Sequence, residues 1–368
     1  MSEFKHRADQ LNASITWITL ALAAIGLVNL YSATSVWGVS GASDAFYSQI
    51  VWMLVGCVVC LLVWALDYHW LERLAYPLYI LTVLGLLAVL LWGEEISGHQ
   101  SWIRVGPFQT QPSEFAKIGF VLALAKNFSG RDPTNGFRIR DLKFPFLLLA
   151  LPLSLIVVEG DLGSALFFVV TFTSMVLFVG VRRKTLALLS GLSVALVLIT
   201  YFFLLSPYQQ SRIQTFMQPD MDPRGQGYQI IQSKIAVGSG MVFGKGYLQG
   251  MQNKLLYLPE KHTDFVFPVL AEEWGFVGAG LTIALYFALI MAGANIAAKA
   301  RDRFGLFVAL GITALLFWQV AINIGGVLGL MPLTGVTLPL LSYGGSSVLS
   351  TFVGIGILLS VKSRRQFF

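Results

Sequence analysis

The amino-acid sequence predicts an all-α, polytopic membrane protein with about ten transmembrane helices. Its 368 residues are 56% hydrophobic and only 12% charged, whereas a soluble protein carries roughly a quarter charged residues. Apolar runs of about 20 residues, the length that crosses a bilayer as a helix, recur along the chain. These runs leave no room for a large soluble domain, so residues 1–368 are predicted to form a single membrane domain.

Ten apolar segments account for most of the chain. The fourth and fifth are short and are expected to be tilted or half-buried. No cleavable signal peptide is predicted, because the first run is too long and lacks a small-residue cleavage site. The segments run approximately Ser14–Thr34, Tyr47–Leu66, Leu74–Trp92, Pro112–Phe128, Phe144–Glu159, Leu162–Val181, Leu186–Leu205, Phe265–Ala298, Phe304–Met331 and Leu340–Val361.

The basic residues predict how these segments are oriented. If the amino terminus is cytoplasmic, most of the 25 Lys and Arg residues fall in cytoplasmic loops, as the positive-inside rule requires. The short loops on the opposite side hold only Arg104. Both termini are therefore predicted to be cytoplasmic, and the net charge of +6 reflects membrane orientation, with no nucleic-acid binding expected.

A large extracytoplasmic loop, approximately residues 206–264, separates the seventh and eighth segments. A loop of this length with little regular pattern is usually functional or disordered, and its many aromatic and aliphatic residues argue against disorder. Within it, Tyr228–Val237 has the pattern of a short amphipathic helix. We therefore expect the loop to pack down on the membrane domain.

Ionisable residues gather where this loop meets the eighth segment. Charge inside a membrane costs several kcal/mol, so the cluster marks either a mouth at the membrane surface or a polar cavity. Removing a proton from a hydroxyl needs a carboxylate or imidazole within reach; Asp264 and His262 both qualify, although Asp264 could instead only cap the helix. The cluster comprises Glu260, Lys261, His262, Asp264, Glu272 and Glu273.

Two groups nearer the amino terminus could face the same side. Glu114 and Lys117 stand three residues apart in the fourth segment, so they share a helix face and can pair. The pair either only holds the start of the helix or also presents Lys117 to a substrate anion. Arg104 is either a phosphate clamp or an interfacial anchor beside Trp102.

Asp161 and Lys245 also have two interpretations each. Asp161 either caps the helix that begins at Leu162 or lines a cavity. Lys245 lies in the glycine-rich stretch Gly238–Gly246, which lacks the spacing and hydroxyl of a nucleotide-binding P-loop. We therefore predict no nucleotide site there, and a lipid-linked phosphate is the remaining candidate ligand.

The carboxyl-terminal third contains polar and helix-breaking residues at membrane depth. Met331–Ser347 is rich in Pro, Gly and hydroxyl residues, which are tolerated where the chain lines a cavity. Gln319 and Asn323, one helical turn apart, are expected to form an interhelical hydrogen bond. Cys57 and Cys60 lie inside an apolar run and are expected to pack there, so no protein metal site is predicted.

Taken together, these stretches closely resemble the SEDS family, the RodA/FtsW glycosyltransferases of the bacterial cell wall. The matching pieces span nearly the whole chain in the order found in the family, and several look more like RodA than FtsW. They are Trp102–Gln109, Gln111–Lys117, Gln232–Gly240 with Gly244–Gly246, Leu258–Phe265 with Ala271–Gly275, and Pro339–Ser347.

The resemblance implies a lipid II polymerase on the outer face of the cytoplasmic (inner) membrane, acting in cell elongation. It also implies that the protein has partners: a class B penicillin-binding protein, which is a transpeptidase, and other proteins of the elongation complex. The essential aspartate of the family falls on Asp264, and its glutamate–lysine pair falls on Glu114 and Lys117. Arg104, Asp161, Lys245, His262 and Ser346 are the further candidate substrate contacts.

The mechanism expected from this resemblance is an inverting displacement. Asp264 takes the proton from the acceptor 4-hydroxyl, and that oxygen displaces undecaprenyl pyrophosphate from the donor sugar. Arg104, Lys117 and Lys245 would stabilise the leaving diphosphate; whether a divalent cation, Mg²⁺ or Mn²⁺, assists is left open. The alternatives are a lipid II flippase or transporter, a scaffold that only activates the transpeptidase, and an FtsW-like division polymerase.

Overall fold

The computed structural model describes residues 13–34, 42–96, 99–105, 108–131, 136–199, 210, 215–218, 225–254, 257 and 262–364. Helices dominate this part of the chain. They are α1 (Ala13–Thr34), α2 (Ala42–Ala65), α3 (Tyr68–Trp92), α4 (Pro112–Ser129), α5 (Lys143–Val158), α6 (Leu162–Val179), α7 (Arg183–Ile199), α8 (Gln226–Ser239), α9 (Met251–Lys254), α10 (Val266–Ala298), α11 (Arg303–Val327) and α12 (Gly345–Ser363).

Eight of these helices are long and apolar enough to cross a membrane: α1, α2, α3, α5 with the 3₁₀ turn before it, α6, α10, α11 and α12. The helical membrane class is therefore confirmed. The other two predicted spans correspond to α4, which carries three charged residues in its 18, and to α7, whose described part has 17 residues. The count of ten and the position of the long loop remain predictions.

Helices α4, α11 and α12 are the most buried of the described helices, and α11 packs against α4 at the centre. Burial explains why α4 can hold Glu114 and Lys117 among apolar residues, since protein and not lipid surrounds them. Helices α10 and α12 flank α11, while α2 and α3 expose apolar side chains that suit contact with lipid.

The short loops contact one another in two separate groups, as alternating membrane spans require. At one end, Asp67 pairs with Arg364 (3.4 Å), and His69 lies 3.7 Å from Asp302. At the other end, the N–H of Gln100 donates to the carbonyl of Glu159 (3.3 Å). This grouping agrees with the alternation of the predicted loops.

A small antiparallel sheet departs from the purely helical expectation. It joins α3 to α4 and consists of β1 (Glu94–Ile96), β2 (His99–Val105) and β3 (Phe108–Thr110), in that spatial order. Strands this short carry too little alternation to be recognised from sequence. The predicted amphipathic helix at Tyr228–Val237 is confirmed as α8.

Helix α10 bends at Gly275, where the loop before it crosses the helix. Gly275 has a φ of +66°, a left-handed conformation that favours glycine. A Cβ at Gly275 or at Gly244 would collide with the backbone of the other segment. The N–H groups of Phe276 and Val277 donate to carbonyls of the crossing turn (2.9 and 3.1 Å), so the turn is fastened beside the bend.

Candidate active site

Asp264 lies half-buried in the turn that precedes α10. This turn is held by the connector, which we define as residues 328–344 between α11 and α12. The Ser342 hydroxyl donates to the carbonyl of Thr263 (2.5 Å), and the N–H of Tyr343 donates to the carbonyl of His262 (2.8 Å). The rings of His262 and Tyr343 are 6.1 Å apart. The two candidate bases therefore share one turn that the connector anchors.

Asn323, near the end of α11, ties the same turn to the connector. Its side-chain amide nitrogen donates to the carbonyls of Asp264 (3.1 Å) and Val336 (2.6 Å). The expected interhelical hydrogen bond of Asn323 is thus replaced by two bonds to non-helical backbone. Gln319, one turn earlier, lines a different place, the cavity beside Glu114.

Three helices, α4, α6 and α12, begin close together next to this turn. Gln111, just before α4, joins the other two starts: its N–H donates to the Ser346 hydroxyl (3.0 Å), and its side-chain amide donates to Asp161 (3.1 Å). Asp161 caps α6 by accepting from the N–H and hydroxyl of Ser164 (2.9 and 2.7 Å). The first N–H groups of a helix carry partial positive charge, so this arrangement favours an anion nearby.

Two consecutive connector residues join the helix starts to Asp264. Thr334 packs its carbonyl against Gly163 in the first turn of α6, where a Cβ would collide with it. Gly335, in the left-handed region at φ +68°, lies so close to Asp264 that a Cβ would stand 3.6 Å from its Oδ2. The Asp264 carboxylate and the Asp161 cap therefore border the same stretch of connector and belong to one site.

Glu114 and Lys117 form the predicted pair, deep among α4, α11 and α12. Their charged atoms are 2.7 Å apart, and both side chains are buried. The Ser350 hydroxyl donates to the other Glu114 oxygen (3.1 Å), while the Lys117 ammonium lies 4.8 Å from the centre of the Phe167 ring. A small cavity that can hold a water molecule adjoins the pair.

Lys245 is engaged by Glu272, a fully buried residue of α10. Their charged atoms are 2.6 Å apart, and the same carboxylate accepts hydrogen bonds from the N–H groups of Met251 and Gln252 (2.8 and 3.2 Å). This cluster fastens the loop onto α10. A role for Lys245 at a substrate phosphate would compete with this ion pair.

Arg104 stands apart from the buried groups, on strand β2. Its side chain is 56% exposed, and its nearest described acid is Glu94, at 3.5 Å. Solvent weakens a pair of this kind, so it holds Arg104 only loosely. Of the three predicted cations, Arg104 is the most accessible to a bulky anion.

Glu159 is a buried acid in the short turn between α5 and α6, two residues before Asp161. The sequence suggested no separate role for it. It is 4% exposed, and neither carboxylate oxygen has a hydrogen-bond partner within the described residues. Burial first, and the charge of Asp161 second, raise its pKa to about 8. A carboxyl of this kind holds a proton at neutral pH. Two acids at one tight corner were the only signal available in the sequence.

The described residues contain no group of three or more His, Cys, Asp or Glu side chains that could hold a metal ion. Asp161, the acid closest to the helix starts, has both oxygens occupied by hydrogen bonds from Gln111 and Ser164. These side chains do not fit a divalent cation site supplied by the protein, and no step below is assigned to a metal.

Comparison with known proteins gives the family. The model for cell cycle proteins of the FtsW, RodA and SpoVE type matches residues 13–366. The chain is 39% identical to the probable peptidoglycan glycosyltransferase FtsW of Trichlorobacter lovleyi, covering 97% of this chain and 94% of that protein. It is 37% identical to the peptidoglycan glycosyltransferase MrdB of Escherichia coli, covering 97% and 95%, and 39% identical to the stage V sporulation protein E of Bacillus subtilis, covering 95% and 96%.

Solved structures agree with the sequence relatives. One comes from a study of the coordination of polymerization and crosslinking by a peptidoglycan synthase complex; it is 37% identical, has a TM-score of 0.81, and the match covers 96% of this chain and 98% of that one. The crystal structure of the Thermus thermophilus rod shape determining protein RodA is 32% identical, with a TM-score of 0.71, covering 96% and 97%. The resemblance seen in the sequence motifs is confirmed: this multi-span membrane protein belongs to the FtsW/RodA/SpoVE family, also called SEDS.

Proposed function

We propose that the protein is a peptidoglycan glycosyltransferase that polymerises lipid II into glycan strands. The curated relatives named above as peptidoglycan glycosyltransferases support the reaction class, since they match over nearly their full lengths. The observation that carries the site assignment is the position of Asp264, whose carboxylate borders the same connector stretch as the Asp161 cap at three helix starts. A base and a region that attracts anions therefore lie together.

Asp264 acts as the general base. Its carboxylate accepts the proton of the acceptor 4-hydroxyl as that oxygen forms a bond to the anomeric carbon of the donor. The bond from that carbon to the pyrophosphate oxygen breaks on the opposite face, so the configuration inverts and undecaprenyl pyrophosphate leaves. A positioned base typically accelerates such a step by roughly 10²–10⁴-fold.

The leaving pyrophosphate gains charge in the transition state, so positive groups should meet it. The starts of α4, α6 and α12 supply backbone dipoles, and Arg104 is an accessible cation on the adjoining sheet. Lys117 and Lys245 remain proposed contributors that would act from within their pairs with Glu114 and Glu272. His262 and Ser346, at the turn and at the start of α12, are the proposed polar substrate contacts.

We place this reaction on the extracytoplasmic face of the bacterial inner membrane, because the long loop and the acidic corner fall there under the positive-inside rule. The partner is a class B penicillin-binding protein; the similarity to a chain of a peptidoglycan synthase complex supports it. The RodA-like motifs favour elongation over division. Relatives named FtsW and MrdB match at nearly equal identity, so a division role is the alternative.

The experiment compares wild type, Asp264→Asn and the control Asp44→Asn, which alters an exposed acid of α2. Each is purified with the cognate penicillin-binding protein, transpeptidation is blocked with a β-lactam, and lipid II is added. Glycan ladders from wild type and Asp44→Asn, with none from Asp264→Asn, are the expected result. Ladders from Asp264→Asn overturn the base assignment. No ladder from any sample, together with lipid II crossing vesicle membranes, would favour a transporter.

A further inference from the structure

Asn323 occupies an unusual position between the three parts of the site. It lies on α11 and is 5% exposed. Both hydrogens of its side-chain amide are used: one bond goes to the carbonyl of Asp264 and the other to that of Val336. A single side chain thus joins α11, the turn that carries the base, and the connector.

The orientation of this amide follows from its neighbours. Both nearby groups are carbonyl oxygens, which accept and never donate, so only the NH₂ end can serve them. The opposite end, Oδ1, therefore points elsewhere, and within the described part of the chain it has no hydrogen-bond partner although it is buried. A buried acceptor left unpaired costs about 1–3 kcal/mol, so the two donated hydrogen bonds hold the amide in this orientation.

The two hydrogen bonds donated by Asn323, which we call the clamp, also affect the position of the Asp264 carboxylate, through the connector. Val336, one of the two residues that Asn323 holds, directly follows Gly335, and Gly335 lies against the Asp264 carboxylate. Asn323 therefore fixes the backbone of the base on one side and the wall beside its side chain on the other. Loss of the clamp would let both shift together.

We propose that Asn323 is the positioning residue for Asp264. This inference rests on the proposed function. The side chain acts through the backbone of the Asp264 turn and of the connector, and it does not itself contact the substrate.

Three variants test the clamp. Asn323→Leu keeps the branched shape and the number of heavy atoms but is larger and removes every hydrogen bond, whereas Asn323→Gln keeps both donors and adds a methylene. Ser233→Ala is the matched control: it removes another buried bond to the end of α11, from the Ser233 hydroxyl to the carbonyl of Val327 (2.6 Å). Each is purified with the penicillin-binding protein, and kcat and KM for lipid II are measured with thermal stability in the same detergent.

We expect Asn323→Leu to lower kcat by about 10- to 100-fold, since small misplacements of a reacting group cost this much. Its KM should stay within about twofold of wild type, because Asn323 positions the base and does not bind the substrate. Asn323→Gln should retain more kcat than Asn323→Leu, and Ser233→Ala should keep the wild-type kcat. A role in packing alone predicts instead that kcat falls only as far as thermal stability does, since both variants add volume to a tight interior.

Three results would overturn the inference: Asn323→Leu as active as Ser233→Ala, Asn323→Leu more active than Asn323→Gln, or a raised KM at unchanged kcat. These are distinct from failure of the proposed function. An active Asp264→Asn would show that Asp264 is not the general base. An inactive Asp264→Asn together with a fully active Asn323→Leu would refute only the positioning role of Asn323.

Discussion

Two buried carboxylates, Glu272 in α10 and Glu159 at the corner before α6, differ in how many hydrogen bonds they receive. Around Glu272, the carboxylate receives an ammonium and two backbone N–H groups, and the loop closes over it. Glu159, by contrast, has no hydrogen-bond partner for either carboxylate oxygen among the described residues, and the same holds for the amide oxygen of Asn323, whose nitrogen holds the Asp264 turn. Buried acids that look alike in the sequence are therefore held differently.

The difference predicts how each group responds to substitution. A saturated cluster gains nothing from a further molecule, and its loss should appear as lost stability. An unsaturated cluster keeps an energetic cost that a substrate can relieve. Substitutions that leave Glu272 without a partner should therefore lower stability, Glu159 should make stability depend on pH, and substitutions at Asn323 should lower activity.

The largest expected effect is on the saturated cluster. Lys245→Met leaves the fully buried Glu272 without its cation, and breaking a buried pair in this way costs about 3–5 kcal/mol when both partners are buried. Because Lys245 is 30% exposed, we expect the lower end of that range. Thermal unfolding in detergent measures it, and Lys245→Met combined with Glu272→Gln should recover part of the loss. A stable Lys245→Met that has lost only polymerisation would assign Lys245 to the substrate instead.

Next in size is a pH effect at Glu159. Its pKa is raised to about 8, above the ordinary value for Glu, so the folded state binds the proton more tightly than the unfolded state. This contribution to stability is complete below the ordinary Glu pKa and is lost as pH rises through about 8. Wild type should therefore unfold more readily at alkaline than at mildly acidic pH, by up to a few kcal/mol. Glu159→Gln should flatten that dependence, and an unchanged profile would contradict it.

Asp161 should show a smaller effect, on activity alone. Asparagine is also a good helix N-cap, so Asp161→Asn should leave the unfolding free energy nearly unchanged. It removes the negative charge that holds Gln111 at the helix starts, and we expect polymerisation to fall by up to about tenfold, because small misplacements near a reacting group lower the rate. Lipid II polymerisation and thermal unfolding, measured on the same preparation, separate the two roles. Full activity would leave Asp161 with capping only.

The smallest stability effect is expected at Arg104. Its pair with Glu94 is exposed, and pairs of this kind contribute about 0–1 kcal/mol. Arg104→Gln should therefore unfold like wild type, so any rise in KM for lipid II would report contact with the substrate anion. The matched variant Glu94→Gln removes the same pair but keeps the cation. Equal kinetics for both variants and wild type would leave Arg104 without a role in binding.

The sequence predicted those features that depend on local pattern. The eighth predicted span begins within one residue of the start of α10. A charged turn followed by an apolar run is a local signal for the start of a helix. The cap at Asp161 and the pair of Glu114 with Lys117 were also predictable, since both join residues three apart. The helical membrane class followed from composition.

Contacts between distant residues could not be predicted in this way. The bond from Gln111 to Asp161 crosses 50 residues of sequence, and the bond from Asn323 to Asp264 crosses 59. Such contacts depend on how helices pack, which no local periodicity encodes. Lys245 illustrates the limit: its glycine-rich surroundings resemble an anion site, yet they let the backbone approach α10 closely at Gly244 and Gly275.

That close crossing gives α10 a mechanical property. The outer part of the helix, Val266–Trp274, is short, and Asp264 lies at its tip. The crossing turn is hydrogen-bonded to the backbone of α10 just after the bend, and Lys245 pairs with Glu272 just before it. The turn and the first part of α10 are therefore fastened to each other on both sides of the bend. A neighbouring protein that pushes on the turn would transmit that force directly to the base.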